Sequence, residues 1–147
     1  MRALLQRVEG ASVEVDDNVL GKIEGKGLLI LLGVTKGDTK EDIDYLVRKI
    51  LNLRIFNDEN NKMNLSIQDI TGEILVVSQF TLYADCRKGN RPSYDKAADP
   101  SLAKDLYLMF ISRIKESGLK VSEGEFGANM QVSLTNSGPV TIMLESK

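Results

Sequence analysis

Two short segments far apart in the chain hold the residues that could do chemistry: Ser78-Gln79-Phe80-Thr81, which closes an apolar run, and Asn136-Ser137-Gly138-Pro139-Val140-Thr141. Each reads as a site built from backbone. Gly138 has no side chain, so the main chain there can approach a ligand closely. Pro139 fixes its own φ and makes the Gly138-Pro139 bond one of the few that can be cis, so such a loop can present rigid carbonyls. The sequence contains no histidine, which excludes Ser-His-Asp and Cys-His sites and an all-histidine zinc site. Thr81 could attack a substrate only with a base, and no such base is evident, so attack by water with help from the substrate fits the residue types better. On residue types alone both segments keep a plainer reading. Ser78, Gln79 and Thr81 also suit polar groups satisfied at a strand end, and Gly138-Pro139 suits a simple turn between strands.

A third cluster, Arg87-Lys88-Gly89-Asn90-Arg91, is a compact basic loop with Tyr83 and Tyr94 on either side. It suits phosphate contact with some base stacking, or equally a solvated surface loop. Cys86 is the single cysteine, so neither an internal disulfide nor a cysteine metal cluster can form within one chain. Asp85, Asp95 and Asp99 match no metal-loop spacing, and Gly21 to Gly27 reads as a hairpin turn rather than a phosphate loop. No cofactor or metal is therefore expected.

A chain of 147 residues fits one domain, residues 1–147, with one core. Its 42% hydrophobic and 27% charged content is that of an ordinary soluble protein. The longest apolar run, Leu28 to Leu32, falls far short of the ~20 residues that span a bilayer. No membrane partner is expected, and the early charges of Met1 to Arg7 leave no room for an export signal, which makes the cytoplasm the default location. A net charge of −2 argues against broad nucleic-acid coating, and no DNA partner is expected, although a small basic patch remains available.

The elements that must position these residues follow from periodicity. Val13 and Val15 alternate with acidic neighbours, Asp16-Asp17-Asn18 marks a turn, Val19 to Glu24 returns, and Leu28 to Val34 suits a strand covered on both faces. Ile43, Leu46, Val47, Ile50 and Leu51 share one helical face, with Thr39 and Asp42 placed as a capping box. Asn57 to Asn64 reads as a polar loop and Glu73 to Leu82 as a central strand. Asp99 as N-cap, Pro100 at the first helical position and Gly118 past the end bracket a second helix. Gln131 to Asn136 and Val140 to Glu145 read as two strands joined by the Ser137-Gly138-Pro139 turn. The fold class expected is α+β: a largely antiparallel, barrel-like curled sheet with two main helices packed on it.

Across the whole chain these residues resemble the D-aminoacyl-tRNA deacylase family. The resemblance lies in Arg7 with Ala11-Ser12-Val13, Ser78 to Asp85, Arg87 to Ser93, Phe126-Gly127-Ala128 with Met130, and Asn136 followed by Gly138 to Thr141. Ser137 departs from the family pattern, which usually has aspartate there, so no carboxylate role carries over to that position. The resemblance implies a homodimeric, cofactor-free hydrolase that removes D-amino acids, and glycine mischarged on alanine tRNA, from the tRNA 3′ end. It further implies a cis Gly138-Pro139 bond inserted into the partner subunit's site, where carbonyls receive the substrate amino group and L-amino acids collide. Arg7 would hold that loop, with Met130 and Asn136 also on the substrate-binding side. Ser78, Gln79, Phe80 and Thr81 would form the catalytic segment, with main-chain N–H groups around Phe80 and Thr81 facing the ester. Arg87, Lys88 and Arg91 would contact RNA. Two other readings of the same residues stay open: a non-catalytic tRNA-binding module, and an ester or amide hydrolase with Thr81 as nucleophile.

Overall fold

One long strand, β1 (Arg2–Val15), organises the protein in the computed structural model, which describes residues 1–147. Its first half pairs antiparallel with β3 (Gly27–Gly33) and its second half with β2 (Asn18–Ile23). Its other edge carries β8 (Gln131–Glu145) along nearly its whole length. Beyond β3 the sheet continues through β6 (Glu73–Ser78) and β7 (Val121–Glu123). The far ends then meet, with the Ser122 hydroxyl donating to the Lys22 carbonyl at 3.1 Å, so the sheet curls toward a barrel. Helices α1 (Lys40–Asn52) and α2 (Pro100–Lys115) lie together on one face.

The expected α+β architecture is therefore present, but the sheet is mixed rather than largely antiparallel. β3 with β6 and β6 with β7 are parallel pairs. The reason is connectivity: α1 lies between β3 and β6, and α2 between β6 and β7, and a helical crossover returns the chain in the same direction.

The unbroken apolar strands serve two cores. Leu28, Ile30, Leu32, Ile74 and Val76 face the helices in the larger cluster, while Leu29, Leu75 and Val77 join Val8, Val13 and Ile23 inside the curl. Side chains alternate across a strand, so the two cores lie on opposite faces of the same ladder. Where β3 and β6 meet, Gly27 lies opposite Glu73, and a Cβ there would stand 2.2 Å from the Glu73 carbonyl oxygen.

Both helices begin as their sequences require. The Thr39 N–H donates to Asp42 Oδ2 at 2.8 Å, and Asp99 Oδ1 accepts from the Ser101 and Leu102 N–H groups at 3.1 Å each, which satisfies donors with no partner inside the first turn. Three expectations change. Asn57 to Asn64 is a miniature hairpin, β4 (Phe56–Asn57) and β5 (Met63–Leu65), too short to show alternation. β6 ends at Ser78, and Phe80–Tyr83 form a 3-10 turn in place of further strand. The two C-terminal strands are one, interrupted by a bulge rather than folded back at a turn. No helix is long and apolar enough to cross a membrane.

Candidate active site

A cavity of about 470 Å³ opens at the carboxyl end of β6. Its walls come from the β3 and β6 ends (Leu32, Val34, Val77), the start of α2, and the segment before β8 that includes Phe126 and Met130. The interior is mostly apolar, with Ser78 and Gln79 as its polar wall. Tyr107 stands in it with its hydroxyl 3.0 Å from the Val76 carbonyl and 3.4 Å from that of Gly124. Burial raises the Tyr107 pKa well above the usual phenol value. Gly124 leaves room for Met130, whose sulfur would lie 2.6 Å from a Cβ at that position.

Sequence reasoning found Ser78, Gln79, Phe80 and Met130 on this cavity. It missed Tyr107 and the small residues Ala97, Ala98 and Ala103 that hollow the mouth. The signal for Tyr107 was available, because it follows Ala103 by four residues and so shares the helical face turned to the sheet.

The 3-10 turn after β6 shapes the polar wall. The Gln79 N–H still reaches the β3 ladder, donating to the Leu32 carbonyl at 2.7 Å, and the chain then coils. As the first residues of a helical turn, Phe80 and Thr81 have no acceptor behind them, and neither N–H is taken by any other group of the chain. Gln79 Nε2 donates to the Thr81 hydroxyl at 2.5 Å. Thr81 itself does not line the cavity. Phe80 is 57% exposed, and its ring packs edge-on against Tyr94, ring centroids 5.0 Å apart. The Ser78 hydroxyl takes part in none of the chain's hydrogen bonds.

The second segment is a bulge in β8. Asn136 pairs with Val8 and Thr141 with Gln6, so four residues, Ser137 to Val140, face the single residue Arg7. Arg7 Nε donates to the Ser137 carbonyl at 2.9 Å, and Nη1 donates to the Ile55 carbonyl at 2.6 Å. Asn136 closes the base: its Oδ1 accepts from the Val140 N–H at 2.7 Å and its Nδ2 donates to Thr141 Oγ1 at 3.0 Å. The Ser137 hydroxyl donates to Glu9 Oε1 at 3.1 Å. Gly138 has φ +129°, and a Cβ there would sit 2.8 Å from Arg7 Nη2, so only glycine fits without displacement. The Gly138-Pro139 bond is cis, as expected.

Within one chain the bulge and the cavity are apart. Val132 of the cavity wall pairs with Val13, while Pro139 lies opposite Arg7. Six residues of strand separate these positions on β1, roughly 20 Å. Gly138 and Pro139 are exposed.

The basic loop leaves the body through a pinch at its base, where Asp85 and Ser93 exchange backbone hydrogen bonds of 2.8 and 3.0 Å. Arg87 turns back onto the Asp85 carboxylate, which holds the Asp85 pKa far below the usual carboxylate range. Lys88 and Arg91 have no carboxylate within ion-pair distance and stand exposed.

The family model described as D-Tyr-tRNA(Tyr) deacylase matches residues 4–145. A Thermosipho africanus (strain TCF52B) protein described as a D-aminoacyl-tRNA deacylase is 64% identical over 147 residues, covering 100% of this chain and 98% of its own. One of the same description from Clostridioides difficile (strain 630) is 60% identical over 146 residues, covering 99% and 97%. Among solved structures, the c-Myc DNA Unwinding Element Binding Protein matches with a TM-score of 0.93 at 43% identity, covering 100% of this chain and 99% of that one. A probable eukaryotic D-amino acid tRNA deacylase matches with a TM-score of 0.85 over 98% of both chains. At 19% identity that likeness is one of fold alone.

Proposed function

The chain belongs to the D-Tyr-tRNA(Tyr) deacylase family, and from that premise we propose how it works as a D-aminoacyl-tRNA deacylase, a hydrolase of the ester joining a D-amino acid to tRNA. The aminoacyl end enters the cavity at the end of β6. Water adds to the ester carbonyl, the carbon–oxygen bond to the ribose breaks, and the departing ribose oxygen takes up the proton. The ester is already activated and the neighbouring ribose hydroxyl can guide the water, so the protein's task is to orient the ester and stabilise the oxyanion. The observation that carries this reading is the pair of unpartnered N–H groups on Phe80 and Thr81 beside the Ser78-Gln79 wall of the cavity. They are donors already in place for a charge that develops only during reaction.

Selectivity comes from a second copy of the chain. The bulge is exposed and lies roughly 20 Å along β1 from its own cavity wall, so Gly138 and Pro139 reach a cavity as part of a homodimer. Arg7 and Asn136 hold the bulge in shape, so its carbonyls can receive the substrate ammonium while the backbone wall excludes an L side chain. A wall of main chain cannot rotate aside. Glycine, having no side chain to collide, is admitted too, which would let the enzyme clear glycine from alanine tRNA. Arg87, Lys88 and Arg91 contact the tRNA, and the enzyme acts in the cytoplasm without a cofactor.

The test is a matched pair of D- and L-aminoacyl-tRNAs incubated with the protein and no added cofactor. The D substrate should be hydrolysed at least tenfold faster. Equal rates would remove chiral proofreading, and no hydrolysis of either would favour a tRNA-binding module.

A further inference from the structure

A groove of about 490 Å³ lies at the base of the basic loop. Arg2, Arg87 and Lys96 line it, with Tyr83, Ala84, Asp85 and Cys86. Two of these charges are committed: Arg2 pairs with Glu145 at 2.6 Å and lies over the Tyr83 ring, and Arg87 pairs with Asp85. Lys96 has no carboxylate within ion-pair distance, and neither does Lys36 beside it.

These two lysines are placed by backbone. The Lys96 carbonyl accepts from the Thr35 hydroxyl at 2.5 Å and from the Lys36 N–H at 3.4 Å. Thr35 and Ala97 form an isolated bridge, and the Ala98 N–H donates to the Val34 carbonyl at 3.0 Å. Val34, Ala97 and Ala98 all line the catalytic cavity. Both lysine backbones are therefore anchored one or two residues from its rim; Lys96 lines the groove beside the basic loop, and Lys36 is bonded to Lys96 through the backbone.

We propose that this groove seats a backbone phosphate of the tRNA 3′ end, held by Lys96 and Lys36, as the strand leaves the cavity toward Arg91 and Lys88. The inference rests on the deacylase reading above and adds a subsite to it. A substrate whose acyl end is sunk in the cavity must run its nucleotides over the rim, where two exposed lysines have their backbones held and no carboxylate within ion-pair distance. Phosphate contacts set register without reading sequence, which suits an enzyme that must accept tRNAs differing in sequence. Arg2 and Arg87 frame the groove, but their charge is balanced by Glu145 and Asp85.

The test compares wild type with Lys36→Ala/Lys96→Ala and with the charge-reversed Lys36→Glu/Lys96→Glu on two substrates: D-aminoacyl-tRNA and a D-aminoacyl ester of adenosine, which has no phosphate. On tRNA, KM should rise about fivefold for the alanine pair and further for the glutamate pair, with kcat unchanged. The slope of log(kcat/KM) against log salt should become shallower by about 0.7, the value for one neutralised phosphate on a single strand. Turnover of the adenosine ester should be unchanged, and Lys36→Arg/Lys96→Arg should behave as wild type. A wild-type KM and salt slope in the alanine pair would overturn the subsite. Equal losses on both substrates would overturn it too, placing the lysines in the shape of the cavity. Failure of wild type itself to hydrolyse D-aminoacyl-tRNA would instead overturn the deacylase reading.

Discussion

Thr81 keeps its hydroxyl oxygen 2.5 Å from Gln79 Nε2 and stands off the cavity wall. A nucleophile needs a base on its proton, and the group bonded to the Thr81 hydroxyl is the Gln79 amide, which donates to it and is no base. Its hydroxyl instead fixes the amide of Gln79, which does line the cavity. Thr81→Ala should keep kcat within about tenfold of wild type, whereas Gln79→Ala should lose more. Single-turnover kinetics with a search for acyl-enzyme would decide the matter: an adduct trapped on Thr81, or complete inactivity of a folded Thr81→Ala protein, would restore the nucleophile. The lone residue Arg7 does comparable work for the bulge, gripping Ser137 with one nitrogen and Ile55 with another.

Elements with strong local signals were legible in the sequence, and those defined by distant partners were not. Asp99-Pro100 and the Ile43 to Leu51 stripe announced both helices, because caps and periodicity are local. β8 was read as two strands because Gly138-Pro139 is a turn signal, yet the chain runs on along β1, with Arg7 anchoring the excursion from another part of the sequence. β7 went unseen since three residues carry no period, and the parallel pairs follow from crossovers that no strand pattern records. The candidate site was half legible: the resemblance marked Ser78 to Phe80, but the cavity they border needs α2 folded over the sheet.

Helix α1 also ties local signal to stability. Burial would raise the Asp42 pKa, but hydrogen bonds from Ser146, Lys147 and the Thr39 N–H outweigh it and bring it down to about 2. A carboxylate with a lowered folded-state pKa stabilises above its unfolded value, and that contribution fades as pH falls through 4 toward 2. The gap in unfolding free energy between wild type and Asp42→Asn should therefore shrink by about 2 kcal/mol from pH 6 to pH 2. Urea denaturation at the two pH values measures it, and a gap independent of pH would refute the assignment.

For the whole molecule, the proposed division of the site between two copies has a sharp genetic signature. Gly138→Ala spoils the bulge and Gln79→Ala the cavity wall, so each variant alone should be slow or unselective. Mixed by unfolding and refolding together, the two variants should regain selective activity, because half of the hybrid dimers' cavities pair an intact wall with an intact bulge. Activity no greater than the sum of the separate variants would place bulge and cavity in the same chain's reaction. The cavity has one more consequence. Among its lining residues only Tyr107 can ionise, and burial keeps its proton in place through neutral pH. With the ester cleaved in this cavity, as proposed, the cavity lining brings no titrating group to the reacting bond. Between pH 5 and 9 the enzyme's rate should track the titration of the aminoacyl ester itself, running parallel to spontaneous hydrolysis at a higher level. A bell-shaped profile absent from the uncatalysed reaction would contradict this. Natural variation in such an enzyme is then free to alter which acyl group enters without having to retune an acid or a base.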